Sequence, residues 1–168
     1  MELFETLLNR RSCRKYLAKD VSDNDIKLLL EAAMASPSAI NRQPWEFYVI
    51  KNKELQEKIR NTSPAWQRNS TLLIVVAGNK DLFIKDNEEY WIEDCSAAIE
   101  NMLLEATNLG LGSLWCGVYP NKDRILELTK LINLPSNHIP FGLIHFGYPN
   151  ENNEPRTQYD ENKIHIIK

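Results

Sequence analysis

The stretch Arg10–Tyr16, RRSCRKY, sets four cations into seven residues of a chain whose formal net charge is -3. Like charges crowded this closely repel, so such a run is either a solvated surface or a receptor for an anion. Arginine suits the second role, because its planar fork of donors matches an anion such as a carboxylate or a phosphate. A second polar concentration, SPSAINRQPWEF (Ser36–Phe47), carries Ser38, Asn41, Arg42 and Gln43 between Pro37 and Pro44. Each Asn or Gln amide offers both a donor and an acceptor, which suits the edge of a flat heterocycle; a polar loop anchored by Trp45 is the plainer reading. In GLGSLWCGVYP, Gly110, Gly112 and Gly117 permit close backbone approach to a ligand, but the spacing is not that of a dinucleotide fingerprint. Arg156 is a single base in a polar tail, NEPRTQYD.

Other chemistries leave no signature. No Ser/His/Asp or Cys/His constellation is visible, and His138, His145 and His165 are scattered and read as structural. Cys13, Cys95 and Cys116 fit no zinc or iron–sulfur spacing, and an odd count is a poor disulfide framework. They read as reduced thiols. Cys116 has no cation or histidine beside it in sequence and reads as a small buried apolar residue. A hydrophobic content of 43% with 26% charged residues is ordinary for a globular domain. The mild acidity argues against nucleic acid as a partner, and no apolar stretch is long enough for a bilayer. The opening MELFETLLNRRS carries acids where a signal peptide carries bases. The expectation is a cytoplasmic protein without a metal.

Regular elements must hold these groups in place. Leu3, Phe4, Leu7 and Leu8 recur at helical spacing, so the basic run begins where a short helix ends, the end of the dipole that favours cations. VSDNDIKLLLEAAMASP opens with a capping-box-like Ser22 and Asp25 and stops at Pro37. EFYVIKN reads as a strand, KELQEKIRN as a helix, and TLLIVVAGN as a strand buried on both faces. EYWIEDCSAAIENMLLEATNLG is the strongest helix, with Ile92, Cys95, Ile99, Met102, Leu103 and Ala106 on one stripe and Gly110 closing it. GSLWCGVYP, KDRILELTKLI and PFGLIHFGY follow as strand, helix and strand. PNENNEPRTQYDEN is turn-rich, and KIHIIK is strand-like. Irregular alternation of helices and strands favours an α+β fold.

Taken in order, RRSCRKY, PSAINRQPW (Pro37–Trp45), the long helix with its glycine turn, and PRTQYDENKIH resemble the flavin mononucleotide (FMN)-dependent nitroreductase family along essentially the whole chain. The chain is similar to a short, single-domain member. The resemblance implies a sandwich of a central mixed or antiparallel sheet flanked by helices. It further implies an intertwined homodimer with residues 149–168 as a tail embracing the partner and Tyr90–Leu109 at the dimer core. It assigns FMN phosphate and ribityl contacts to Arg10 and Ser12, assisted by Arg11, and sends Arg14 toward the flavin ring. Arg156 joins the phosphate; Gln158 stands where a second base is common. Pro37, Ser38, Ala39, Asn41 and Gln43 are assigned to the flavin of the other subunit, and the backbone at Cys116 and Gly117 lies along the ring. The implied activity is hydride transfer from NADH or NADPH through FMN to a nitroaromatic, quinone or activated alkene, with no catalytic side chain beyond the flavin itself. Flavin storage or sensing without turnover, and an oxygen-dependent or dehalogenating chemistry on the same scaffold, are the alternatives. The short stretch between Pro120 and Pro140 implies a more open substrate pocket than in longer members.

Overall fold

The computed structural model of the chain describes residues 2–87 and 89–168. Its elements are α1 (Leu3–Asn9), α2 (Asp23–Met34), β1 (Trp45–Ile50), α3 (Lys53–Asn61), β2 (Leu72–Asn79), α4 (Tyr90–Asn108), β3 (Gly112–Gly117), α5 (Lys122–Leu131) and β4 (His138–Gly147). The strands form one sheet in the order β1-β2-β4-β3, and every neighbouring pair is antiparallel. The fold is α+β, as expected, and the sheet is antiparallel and not mixed.

The unbroken apolar run of β2 is explained by its central place. Leu72, Ile74 and Val76 enter one core with α2 and α4, while Leu73 and Val75 enter a second core with Ile59 of α3 and Leu128 of α5. Successive side chains of a strand point to opposite faces, so a strand covered on both sides has no polar positions to spare. Strand β4 changes phase once. The register with β2 slips between Val76 and Ala77, and the extra residue, Phe141, turns into the α2/α4 core, as a bulge does.

Helix ends follow local chemistry. The Ser22 hydroxyl accepts from Asp25 N at 3.0 Å. Helix α4 ends in a Schellman turn: Gly110 takes φ +72, Gly110 N donates to Thr107 O at 3.1 Å, and Leu111 N donates to Ala106 O at 2.7 Å.

Two expectations change. The stripe of α4 is spent inside this chain, with Cys95, Ile99, Met102 and Ala106 fully buried in the core over the sheet. Its apolarity therefore does not require a dimer. Conversely, α1 turns Leu3, Phe4 and Leu7 outward and buries only Thr6. KIHIIK forms no strand: after a 3-10 turn at Glu161–Lys163, Ile164, Ile166 and Ile167 are exposed. A strand needs a neighbouring edge for its backbone groups, and among the described residues no strand pairs with the tail. Among the described residues, no helix is long and apolar enough to cross a membrane.

Candidate functional site

The basic run has no regular structure of its own and is held by what it buries. Cys13 and Tyr16 point inward, each 1% exposed. Cys13 N donates to Ser113 O at 2.8 Å, and Ser12 forms a parallel bridge with Ser113. The Cys13 side chain sits against Gly112, where an added Cβ would meet Cys13 Sγ at 2.6 Å. Tyr16 Oη donates to Cys13 O at 2.6 Å. Asn69 then clamps residue 16 from outside: Tyr16 N donates to Asn69 Oδ1 at 3.0 Å, and Asn69 Nδ2 donates to Tyr16 O at 2.7 Å. With 13 and 16 inward, Arg10, Arg11, Ser12, Arg14 and Lys15 remain half-buried or exposed.

The polar tail returns to this segment. Arg156 N donates to Leu8 O at 3.2 Å, closing a free carbonyl at the end of α1, and Arg11 Nη1 donates to Glu154 O at 2.5 Å. Arg14 N donates to Glu151 Oε1 at 2.5 Å, and that backbone N–H is the main reason the Glu151 carboxyl is held below its usual range. Arg10 Nε lies 3.4 Å from Glu100 Oε1 on α4. The tail around Arg156 is thus tied to the end of α1 and to Arg11 of the basic segment.

The loop from Pro37 to Gln43 is built differently. Ile40, Asn41 and Gln43 adopt φ of 45, 57 and 49 degrees, a left-handed region that costs a non-glycine residue roughly 1–3 kcal/mol. Polar contacts hold it there. Gln43 N donates to Ser38 Oγ at 2.9 Å, and Gln43 Nε2 donates to Asn41 Oδ1 at 2.8 Å. Ala39 N donates to Asp94 Oδ1 at 2.8 Å, and Asn101 Nδ2 donates to Ser36 Oγ at 2.7 Å. Burial pushes the Asp94 carboxyl up, with the Ala39 N–H pulling it back. Asn41, Arg42 and Gln43 are exposed. Among the described residues, no hydrogen bond or ion pair joins residues 37–43 to the basic segment.

Cys116 is buried, with Sγ 3.6 Å from Ala65 O. Gly117 beside it is exposed, and a Cβ there would meet nothing within 4 Å. The sequence showed no cation near Cys116, but the structure brings Arg68, Arg124 and Arg14 within electrostatic reach of its thiol. Burial still dominates and pushes that thiol up, so it is not an activated nucleophile. Arg124 Nη1 donates to Gly117 O at 2.8 Å. Arg68 Nε is buried without a hydrogen-bond partner. These arginines come from three remote segments, so no local pattern could have announced them.

The histidines are structural in two cases. His145 is fully buried, its Nδ1 is 2.9 Å from Ser70 Oγ, and burial pushes its pKa down to about 3. His138 lies 2.5 Å from the Tyr48 hydroxyl through Nδ1. His165 is exposed in the tail.

A cluster of bases on a pinned backbone, a donor-rich loop and an open glycine at a strand end are the candidate site features of this α+β domain. The sequence profile of the Nitroreductase family matches residues 7–71 and 62–148. A "Putative NADH dehydrogenase/NAD(P)H nitroreductase" of Methanothermobacter thermautotrophicus is 39% identical over 170 residues, covering 100% of this chain and 88% of that protein. The structure titled "Putative NADH Oxidase" from Clostridium acetobutylicum superposes with a TM-score of 0.90 at 41% identity, covering 97% of this chain and 99% of its own. An "FMN-dependent Nitroreductase" from Clostridium difficile superposes with a TM-score of 0.88 at 27% identity, covering 98% and 99%. The chain belongs to the nitroreductase family.

Proposed function

We propose that this protein is an FMN-dependent oxidoreductase that uses NADH or NADPH to reduce a small organic acceptor: a nitroaromatic, a quinone or an activated alkene. The observation that carries the reading is the basic segment, in which Arg10 and Arg11 are half-buried and Arg14 is exposed on a backbone fixed by Cys13, Tyr16 and Asn69. The residues fit the cofactor. Arg10, Arg11, Ser12 and Arg156 supply donors for a phosphate dianion, Gly117 leaves room for a flat ring, and the unpartnered Arg68 Nε adds a donor beside Cys116. The bound flavin supplies the hydride chemistry, taking two electrons from the nicotinamide and delivering them to the acceptor.

The chain's own residues then divide the work. Arg10 holds a phosphate whose charge does not change during turnover, so it contributes to affinity. Arg14 would stand near the edge of the bound ring, where a cation would favour the reduced, more negative form. Ser38, Ala39, Asn41 and Gln43, next to Pro37, would complete the site from a second copy of the chain, as the family resemblance implies. That dimer covers the outward apolar face of α1 and the tail isoleucines, surfaces too apolar to be left in water without a partner. Residues 1–168 act as one FMN-binding unit, with 149–168 wrapping the partner.

Purified protein is expected to be yellow, dimeric and able to oxidise NADH or NADPH when a nitroaromatic or quinone is supplied. A colourless preparation that binds no added FMN overturns the cofactor. Nicotinamide oxidation no faster with acceptor than without it overturns the reductase and leaves the storage reading. With saturating FMN, Arg14→Ala should lower the flavin potential by about 30 mV for each ~1.4 kcal/mol of lost differential stabilisation, while Arg10→Ala should weaken FMN binding and leave the potential in place.

A further inference from the structure

A groove of ≈ 480 Å³ runs between α5 and the loop leading into β4, and it shares no residue with the proposed flavin site. We propose that this groove is a second binding site, for a small amphipathic anion with an apolar body and one carboxylate.

Its size lies within the ordinary range of small-molecule sites. Ile125, Leu126, Pro135 and Ile139 give it an apolar wall. Leu126 is 51% exposed, although Leu128, two residues on, is fully buried in the core. The polar lining residues are Lys80, Lys122, Thr129, Ser136 and His138, and among the described residues that line the groove none is acidic. That is unusual in a chain of net charge -3, and it makes the opening complementary to an anion. Two acids stand nearby. Glu46 lies 3.8 Å from His138 Nε2, which leaves Lys122 as the cation for a bound anion, and accepts from Asn79 Nδ2 at 3.0 Å. Asp81 accepts from Asn137 Nδ2 at 2.7 Å.

The walls are formed in advance. Lys80 N donates to Asn137 O at 2.8 Å, and Lys80 Nζ donates to Ser136 O at 2.9 Å, so the loop before β4 is tied to the end of β2. Asn121 caps α5, accepting from Arg124 N at 3.0 Å. Tyr48 Oη fixes the His138 ring through Nδ1. An apolar ligand entering a groove with fixed walls loses little to reorganising them. The apolar wall holds the body of the ligand, and Lys122, on the exposed rim, meets its carboxylate.

The test uses the full-length, flavin-loaded protein, titrated with sodium octanoate and separately with 1-octanol. Calorimetry gives the affinity, and NMR follows the histidine ring signals. Octanoate is expected to saturate one site per chain, bind about tenfold more tightly than octanol, and shift His138 more than His165 while the flavin absorbance stays unchanged. Lys122→Glu should weaken octanoate about tenfold and leave octanol alone; Leu126→Asp should weaken both. Both positions are exposed, and unchanged thermal midpoints confirm intact folding. Failure of octanoate to saturate at millimolar concentration overturns the proposal. So does equal affinity for octanol, or binding indifferent to both substitutions. A flavin spectral change without a His138 response places the anion at the basic segment, and binding that appears only after removal of residues 163–168 makes the groove a seat for the tail. Either result also overturns the proposal. None of these outcomes bears on whether FMN is bound or reduced.

Discussion

Residues 10–16 and residues 36–43 both present polar groups on loops, yet they are held by opposite means. The first stretch is fixed by distant partners: Ser113, Gly112, Asn69 and Glu151 all reach it from elsewhere in the chain. The second is fixed largely by itself, through left-handed residues and the Ser38, Asn41 and Gln43 contacts, with two ties to α4. A segment that carries several like charges cannot stabilise itself, so it borrows buried anchors. A segment that carries neutral amides can close on itself and accept local strain.

The sharpest way to break the first arrangement is Tyr16→Ala. It empties a fully buried aromatic position, and comparable truncations cost roughly 3–5 kcal/mol. Chemical denaturation should show a loss of that size, with FMN affinity falling alongside it. If stability falls but FMN affinity at saturating folding conditions does not, the anchors do not set the arginines.

Acid attacks the same end of the molecule through His145, which supports Ser70 next to the Asn69 clamp. Burial holds its folded pKa at about 3, below the ordinary histidine value of 6.5, so between those limits the unfolded chain binds more protons. The contribution is complete above the upper limit and is lost as pH falls toward the lower one, by at most about 1.4 kcal/mol for each unit of pH. Denaturation midpoints across that window should fall more steeply for the wild type than for His145→Gln.

Asn101→Ala cuts the tie from α4 to Ser36 Oγ and Ala32 O. A loss of about 1–2 kcal/mol is expected from the lost hydrogen bonds, confined to stability and to FMN affinity, with the flavin potential unmoved. The smallest effect should come from Gln43→Gly. Relief of the left-handed strain and the entropy of glycine nearly offset one another, so the midpoint should move by less than about 1 kcal/mol. A larger loss would mean that the amide contact to Asn41, and not the backbone, holds the loop.

Much of this architecture was legible in the residues. KELQEKIRN gave α3 with its boundaries, Ser22 announced α2, and Gly110 announced the end of α4, because caps and periodicity are local. The site segments were legible as unusual concentrations of one chemistry. What could not be read locally is where an apolar stripe goes. Ile99 and Met102 of α4 fill the chain's own core, while Phe4 and Leu7 of α1 face outward, and the spacing is the same in both. Nor does sequence reveal that Asn69 grips Tyr16, or that Arg68 and Arg124 approach Cys116, since those contacts depend on the tertiary path. The extra residue at Phe141 likewise appears only once β4 is paired with β2.

Helix α4 serves both segments at once. Asp94 and Asn101 hold the donor loop, and Glu100 meets Arg10. Asp94 and Asn101 are seven residues apart, nearly two full turns, so they share a face; Glu100 lies one residue earlier, about 100 degrees around the axis. The helix therefore works as an indexing shaft, on which each added residue turns everything downstream by that angle and advances it about 1.5 Å. A single insertion between Asp94 and Glu100 would leave every side chain present and still put the two attachments out of phase. Length in this helix is under tighter geometric control than composition, and an insertion there should be far less tolerated than one in the loop that leads into it.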